Sequence, residues 1–176
     1  LNEHLWLGLG LFSRFGLDNE FPDNWPGRYD LTDIKFQTFS FVPTLAVKVN
    51  DALSLSAGVE IMHASLTMGK QIPCFQLGAK AEDIKMTLDG SHWGVGVHLG
   101  IHIRMTDKLS LGLAYKSPVT LRIDGSADFS REEENQLAEM MNQVPHAVDT
   151  GVHGRVRLPD SLAVGLTYYP LDNLSF

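Results

Sequence analysis

Residues 93–104 read Trp-Gly-Val-Gly-Val-His-Leu-Gly-Ile-His-Ile-Arg, and this stretch decides the fold. Large apolar side chains occupy every second position, with glycine, histidine or arginine between them. A period of two residues indicates a β-strand, because successive side chains of a strand point to opposite faces. Its length fits a tilted strand that crosses a bilayer, which needs about 9–11 residues. The stretch therefore predicts a strand with one apolar face and one small or polar face.

Five further segments repeat this alternation, and the connections between segments sort by length. The segments are 5–12, 34–49, 53–61, 109–123 and 162–169; tight turns fall at 50–51, 106–108 and 171–173, and long connections at 18–32, 71–82 and 125–150. Outer-membrane β-barrels have short periplasmic turns and long outer loops. The predicted fold class is all-β: a partial antiparallel transmembrane β-barrel of six to seven strands, with one short helix in an extracellular loop.

The polar faces distinguish this fold from a soluble sheet or a small lipocalin-like barrel, which also alternate apolar and polar residues. Glycine and inward charges favour a polar lumen behind a lipid-facing belt. In segment 109–123 the apolar face continues with Val119, Leu121 and Ile123, which puts Arg122 on the lumen side. Three prolines interrupt the segments, at positions where bulges or strand ends are expected. They are Pro43, Pro118 and Pro159.

Composition excludes several classes of protein. A chain of 176 residues with net charge −7 fits one domain and argues against a nucleic-acid surface. No apolar run approaches the about 18 residues of a transmembrane helix. Cys74 is the single cysteine, so no internal disulfide forms. The chain starts at Leu1 and stops just after a tight turn, so we expect residues 1–176 to be a piece of one longer barrel domain.

The connection at 125–150 contains the predicted helix. Ser130 and Glu133 fit a capping box, apolar residues follow at helical spacing, and Pro145 ends the pattern. The apolar stripe either packs on the barrel rim or receives an apolar ligand, for which the pliable methionine pair is suited. The residues of this candidate ligand site are Leu137, Met140 and Met141.

The polar faces carry charges that have two interpretations. The lumen-facing cations are Lys48, His98, His102, Arg104, Lys116 and Arg122, with Glu60 opposing them. They either pair among themselves in a confined interior, or some of them hold a substrate carboxylate. Lys116 and Arg122 are the candidates for a carboxylate, because they lie toward the long-loop end. Trp6 and Phe12 break the small face of the first segment, where they either fill the lumen or line a hydrophobic conduit.

Metal binding and catalysis are not predicted. His98 and His102 are separated by about 13 Å along a strand, whereas zinc needs nitrogens at about 2.0–2.1 Å. Asp89, Ser91 and His92 are adjacent in sequence, which does not give the geometry of a catalytic triad. The sequence predicts no enzyme and no cofactor.

Short motifs in order along the chain resemble the FadL/TodX family of outer-membrane transporters for long-chain fatty acids and other hydrophobic compounds. These stretches are Phe15–Phe21, Ala46–Leu55, Leu88–Gly96, Leu111–Ser117 and Leu158–Leu162. The resemblance implies a 14-stranded barrel plugged by an N-terminal hatch, of which the hatch and the remaining strands lie outside this chain. It also implies a kink that opens the wall sideways, with Gly16 as the candidate position. The loop at 71–82 is shorter than the helical insertion usual in the family.

The resemblance implies passive transport of long-chain fatty acids or other hydrophobic molecules across the outer membrane of a Gram-negative bacterium. The expected partners are outer-membrane lipid and lipopolysaccharide and a hydrophobic small-molecule substrate; no nucleic acid is expected, and the whole protein is expected to be a monomer. Two alternatives stay open: a general-diffusion or structural barrel, and a soluble lipid-binding β-barrel.

Overall fold

A computed structural model describes residues 4–73, 83–130 and 150–169, and their regular structure is a single antiparallel sheet. The strands are β1 (Leu5–Phe12), β2 (Gly16–Glu20), β3 (Asp33–Lys48), β4 (Leu53–Ile72), β5 (Ile84–Thr106), β6 (Leu109–Lys116), β7 (Val119–Ser130), β8 (Thr150–Leu158) and β9 (Ser161–Tyr168). The predicted all-β antiparallel class is confirmed. In the described ranges no helix is long and apolar enough to cross a membrane.

The nine strands make six passages through the sheet, as the sequence predicted. Each of the pairs β1/β2, β6/β7 and β8/β9 is one passage with a short interruption. The order β1-β3-β4-β5-β6-β9 follows the chain, and the sheet stays open between β1 and β9. We call the edge with the tight turns the turn end and the opposite edge the loop end.

Several strands extend further toward the loop end than predicted. β4 has 20 residues and β5 has 23. The connection predicted at 125–150 was wrong at its start, because β7 continues to Ser130, and β8 (Thr150–Leu158) was not among the predicted segments. The end of β7 was not predicted because its outward residues Asp124, Ser126 and Asp128 are polar and exposed, so the apolar alternation stops before the strand does. The predicted helix, with Leu137, Met140 and Met141, lies outside the described residues.

A continuous apolar band covers the outer face of the sheet. Side chains that are large, apolar and exposed include Leu9, Leu11, Phe39, Phe41, Val59, Val95, Val97, Leu99, Ile101, Leu162 and Val164. A soluble monomer rarely exposes an apolar patch larger than a few hundred Å². The band suits hydrocarbon chains, and Trp93 marks its loop-end margin on β5.

The tight turn between β3 and β4 is held by its own side chains. Asn50 Oδ1 accepts hydrogen bonds from the backbone N–H groups of Ala52 and Leu53, at 2.9 and 2.8 Å. The hydrogen bond from Lys48 to Asp51 lowers the pKa of the Asp51 carboxyl. These local bonds explain why the four residues between Lys48 and Leu53 suffice to reverse the chain.

The interruptions reverse the two faces of a passage. Lys116 pairs with His98, and Asp124 pairs with Ser91. From Lys116 to Asp124 the chain advances eight residues, whereas β5 covers the same length by advancing seven residues from His98 to Ser91. One extra residue moves every following side chain to the other face. The prediction that Val119, Leu121 and Ile123 face outward was therefore wrong, and so was the prediction that Arg122 faces the lumen. The three apolar residues are buried on the inner side, and Arg122 is exposed outside.

The same rule applies at the other two interruptions. In the first passage, Phe12 pairs with Ser40 and Gly16 with Gln37, which is four steps against three. In the last passage, Leu158 is buried whereas Leu162 is 67% exposed. In an uninterrupted strand these two residues, four positions apart, would lie on the same face. Pro118 and Pro159 lie at interruptions, which confirms their expected place at strand ends. Pro43 remains inside β3, opposite Leu9.

A charge in the apolar band should be costly only at mid-depth. We expect Leu99→Arg to lower the free energy of unfolding of the intact protein in vesicles by about 2–4 kcal/mol. Ser91→Arg on the same outward face of β5, beyond Trp93, should cost about 0–1 kcal/mol. Urea unfolding followed by tryptophan fluorescence measures both. Equal costs at the two positions would contradict the assignment of the band to hydrocarbon.

Candidate functional site

Residues Ser13–Phe15, here called the inward bend, leave the wall toward the inner side of the sheet. The ladder with β3 stops at Phe12 and resumes at Gly16. Phe15 packs against buried apolar residues of the interior. Its backbone N–H donates to Thr38 Oγ1 at 2.9 Å, and the Thr38 N–H donates to the Phe15 carbonyl at 3.2 Å. The bend is therefore tied to β3 while its side chains reach into the interior.

Arg14 connects the inward bend to both other interruptions. Its Nη1 atom donates to Glu60 Oε2 and to the Ser117 carbonyl, both at 3.1 Å. Its Nη2 atom donates to the Pro159 carbonyl at 2.8 Å. The side chains of Arg14 and Glu60 are 6% and 0% exposed. One guanidinium thus supplies hydrogen bonds to carbonyls that the broken ladders leave without strand partners.

Glu60 is the centre of this charged cluster. Ser40 Oγ donates to Glu60 Oε1 at 2.7 Å, and His98 Nε2 lies 2.8 Å from Glu60 Oε2. In the described parts of the chain every buried side-chain nitrogen or oxygen has a hydrogen-bond partner. The predicted pairing among lumen charges is confirmed for Glu60 with His98. Arg14 was missed, although the end of the leucine alternation at Ser13 signalled the bend.

Phe12 and Lys116 are brought together beside the cluster. The Phe12 ring lies 6.0 Å from the His98 ring, and Lys116 Nζ lies 4.8 Å from the centre of the Phe12 ring. Trp6 lies nearer the turn end, opposite Ala46, and is 48% exposed. Of the residues predicted for substrate contact, the structure thus places Phe12 and Lys116 at one point, with Trp6 apart from them and Arg122 on the outer face.

An apolar cluster fills the loop-end half of the interior. Its buried members are Met62, Ala64, Val119, Leu121, Ile123 and Leu158, with Phe15, Phe36, Leu66 and Val156 packed against them. Glycines of β5 make room for β7: a Cβ on Gly94 would lie 2.5 Å from Val119 Cγ1, and one on Gly96 would lie 2.9 Å from Val119 Cγ2. We call this set the inner apolar cluster.

The turn-end half of the interior has a different lining. A groove of about 470 Å³ crosses β3, β4, β5, β6 and β9. Most of its inward residues are small, namely Ala46, Ser54, Ser56, Gly100, Gly112 and Ala163, and the imidazole of His102 lies among them. Toward the loop end, the interior therefore presents a small-residue groove, then the charged cluster, then the inner apolar cluster.

Gly16 is the first paired residue of β2, just after the inward bend. A Cβ at Gly16 would meet nothing closer than the Phe36 carbonyl at 4.0 Å. The interruption therefore comes from residues 13–15, and Gly16 marks its loop-end margin.

The connection between β2 and β3 adds aromatic surface that the sequence did not reveal. The rings of Phe21 and Trp25 stack at 4.5 Å, and Trp25 Nε1 donates to the Leu31 carbonyl at 2.8 Å. Partial burial and the nearby Asp83 carboxylate, which accepts a hydrogen bond from the hydroxyl, raise the pKa of Tyr29. Tyr29 thus stays a neutral hydrogen-bond donor that fixes this loop above the sheet.

Comparison with known proteins gives the same architecture. The family of outer membrane transport proteins (OMPP1/FadL/TodX) matches residues 1–176. Outer membrane protein P1 of Haemophilus influenzae is 23% identical and aligns with 96% of this chain and 42% of its own length. The chain therefore spans less than half of this curated relative.

Solved structures match over nearly the whole chain. A Pseudomonas aeruginosa FadL homologue has a TM-score of 0.86 at 20% identity, covering 99% of this chain and 44% of its own. The Ralstonia pickettii toluene transporter TbuX has a TM-score of 0.70 at 19% identity, covering 99% and 50%. At these identities the likeness concerns the fold.

The open antiparallel sheet, its outer apolar band and the buried charges of its interior define the class as part of a transmembrane β-barrel of the bacterial outer membrane. Within that class the chain belongs to the OMPP1/FadL/TodX family of outer membrane transport proteins. The predicted family resemblance and outer-membrane location are confirmed. The family consists of transport proteins and not of enzymes.

Removing one partner of the buried pair should destabilise the protein strongly. We expect Glu60→Ala to lower the free energy of unfolding by about 3–5 kcal/mol, because Arg14 would be left as an uncompensated buried charge. Arg14→Met with Glu60→Met should cost less than the sum of the single changes, with a coupling of about 1–3 kcal/mol. Additive single effects in urea unfolding would show that the two side chains act independently.

Proposed function

We propose that the intact protein carries hydrophobic molecules passively across the outer membrane. The single observation that supports this most is the inner apolar cluster, which sits at the loop end of an otherwise polar lumen. Related proteins are described as toluene transporters. The partly buried residues Phe15, Phe36, Leu66 and Val156 are the part of this cluster that an incoming molecule can contact. Transfer of an apolar molecule from water to that surface is favourable. Transport then needs neither a cofactor nor an energy source beyond the concentration gradient.

The inward bend is proposed as the point where the substrate leaves the lumen. The wall is interrupted at residues 13–15, and Gly16 lies at the margin of the interruption. A sideways exit there would deliver the molecule into the bilayer. The fully hydrogen-bonded pair of Arg14 and Glu60 keeps the bend in one position. From the sequence, Leu137, Met140 and Met141 remain proposed residues for first capture of the substrate outside.

Lys116 is proposed to select between substrate classes. Its ammonium group lies against the Phe12 ring on the lumen side and makes no ion pair with a described residue. A fatty acid carboxylate could accept a hydrogen bond from this group, whereas toluene offers no acceptor. Trp6, on the same inner face nearer the turn end, is proposed as a further apolar contact.

Uptake by the intact protein tests the transport proposal. A strain that lacks the full-length gene is complemented with it, and the entry of labelled oleate and labelled toluene is measured. We expect the gene to raise entry of at least one of them but not entry of a hydrophilic sugar of similar size. Equal entry of the sugar would favour a general-diffusion barrel, and no change for either apolar compound would refute transport.

Reversal of one lumen charge should separate the substrate classes. We expect Lys116→Glu to slow oleate uptake about tenfold, because the new carboxylate repels that of the substrate, and to leave toluene uptake unchanged. Lys35→Glu, an equal change on the exposed outer face of β3, is the control. Loss of both substrates in the Lys116 variant would remove the carboxylate role.

The Phe12 ring should matter to both substrate classes. We expect Phe12→Glu to slow entry of oleate and toluene, because a charge replaces apolar surface in the conduit, while Phe12→Leu retains most uptake. Heat-dependent gel mobility verifies that each variant folds as a barrel. Normal uptake by folded Phe12→Glu protein would take this residue out of the conduit.

A further inference from the structure

Three arginines form a compact patch on the outer face of the sheet, just beyond the apolar band. Arg122 of β7 pairs directly with Arg155 of β8, and Arg157 lies on the same face two residues further along β8. All three side chains are exposed. Paired residues on antiparallel strands have Cα atoms about 4.5–5.5 Å apart, and diagonal neighbours have Cβ atoms about 7–8 Å apart or less. The three guanidinium groups can therefore meet at one point.

No described residue forms an ion pair with the patch. None of the three arginines makes a hydrogen bond or an ion pair within residues 4–73, 83–130 and 150–169. The nearest acids along the strands have other partners: Asp124 bonds His153 at 2.8 Å, and Asp160 accepts from the Tyr115 hydroxyl at 3.5 Å. Like charges placed directly opposite on neighbouring strands are destabilising. In a chain of net charge −7, such a cluster indicates an external anion.

The position of the patch identifies the kind of anion. On the last passage the outward residues Leu162, Val164 and Leu166 are apolar and exposed, and Arg157 and Arg155 follow them toward the loop end. The patch thus begins where the hydrocarbon contact ends, on the side of the long loops. In the outer leaflet, phosphate groups of lipopolysaccharide occupy that depth. Arginine binds phosphate with two parallel hydrogen bonds, which suits this chemistry.

We propose that Arg122, Arg155 and Arg157 bind the phosphorylated head group of a lipopolysaccharide molecule whose acyl chains lie on the apolar band. The site is outside the lumen and independent of the transported substrate. If the arginines bind the head group, binding depends on its phosphate groups. A contact with the acyl chains alone would not distinguish phosphorylated from dephosphorylated lipid.

The test uses the full-length protein in detergent and purified lipid A, with binding measured by native mass spectrometry. We expect the triple variant R122Q/R155Q/R157Q to bind bisphosphorylated lipid A about tenfold or more weakly, since hydrogen bonds to charged groups are lost. The matched control K35Q/K85Q/K108Q removes the same charge at other exposed positions and should bind normally. Dephosphorylated lipid A should bind the unaltered protein as weakly as it binds the triple variant.

The outcomes separate the proposal from its rivals. Equal losses of affinity in the two triple variants would show a general charge effect, and equal binding of both lipids would show an acyl contact. Either result overturns the proposal. Unchanged binding by the triple arginine variant overturns it as well. If the triple variant lacks heat-dependent gel mobility, Arg155→Gln alone takes its place, because it relieves the direct repulsion with Arg122 and so should fold. A normal affinity in that folded variant overturns the proposal equally.

Discussion

A one-residue shift in each of three passages is the constraint on which the interior depends. The extra residues fall at 13–15, 117–118 and 159–160. Because side chains of a strand alternate between faces, each shift exchanges inside and outside for the rest of that passage. Without the shifts, Val119 and Leu121 would face lipid, and the inner apolar cluster would lose its members from β7 and keep those of the uninterrupted strands β3 and β4. The three shifts together complete the inner apolar cluster, because they turn apolar residues of the interrupted passages toward those of β3 and β4.

The buried pair of Arg14 and Glu60 makes these interruptions compatible with one another. A broken ladder leaves carbonyl groups unpaired, and in a membrane-embedded wall each such group costs several kcal/mol, about the cost of a buried polar group without a partner. Arg14 donates to carbonyls at two interruptions while belonging to the third. Glu60, itself bonded by Ser40 and His98, balances the guanidinium charge. The charged cluster therefore belongs to the wall as much as to the lumen.

The sequence predicted the features that follow from a strict alternation of two residues, and the predictions failed where an extra residue interrupts that alternation. The six passages, the tight turns and the outward faces of β1, β3, β4 and β5 followed from alternation alone. The inward side of Val119 and the outward side of Arg122 could not be predicted, because one bulged residue leaves no mark in hydrophobicity beyond Pro118. Arg14 was missed for a related reason: its partners lie 46, 103 and 145 residues away, a separation that no local pattern encodes.

The shifts also link the inner and outer surfaces of the wall. An inward apolar residue and its outward neighbour exchange places together, so the bulge that buries Leu121 necessarily exposes Arg122 on the outer wall. In β8, Leu158 and Val156 turn inward while Arg157 and Arg155 turn outward. The apolar interior and the cationic outer rim are thus two faces of the same strands. A mutation that removed one bulged residue would reverse both faces of that strand, placing arginine in the lumen and leucine on the outer wall.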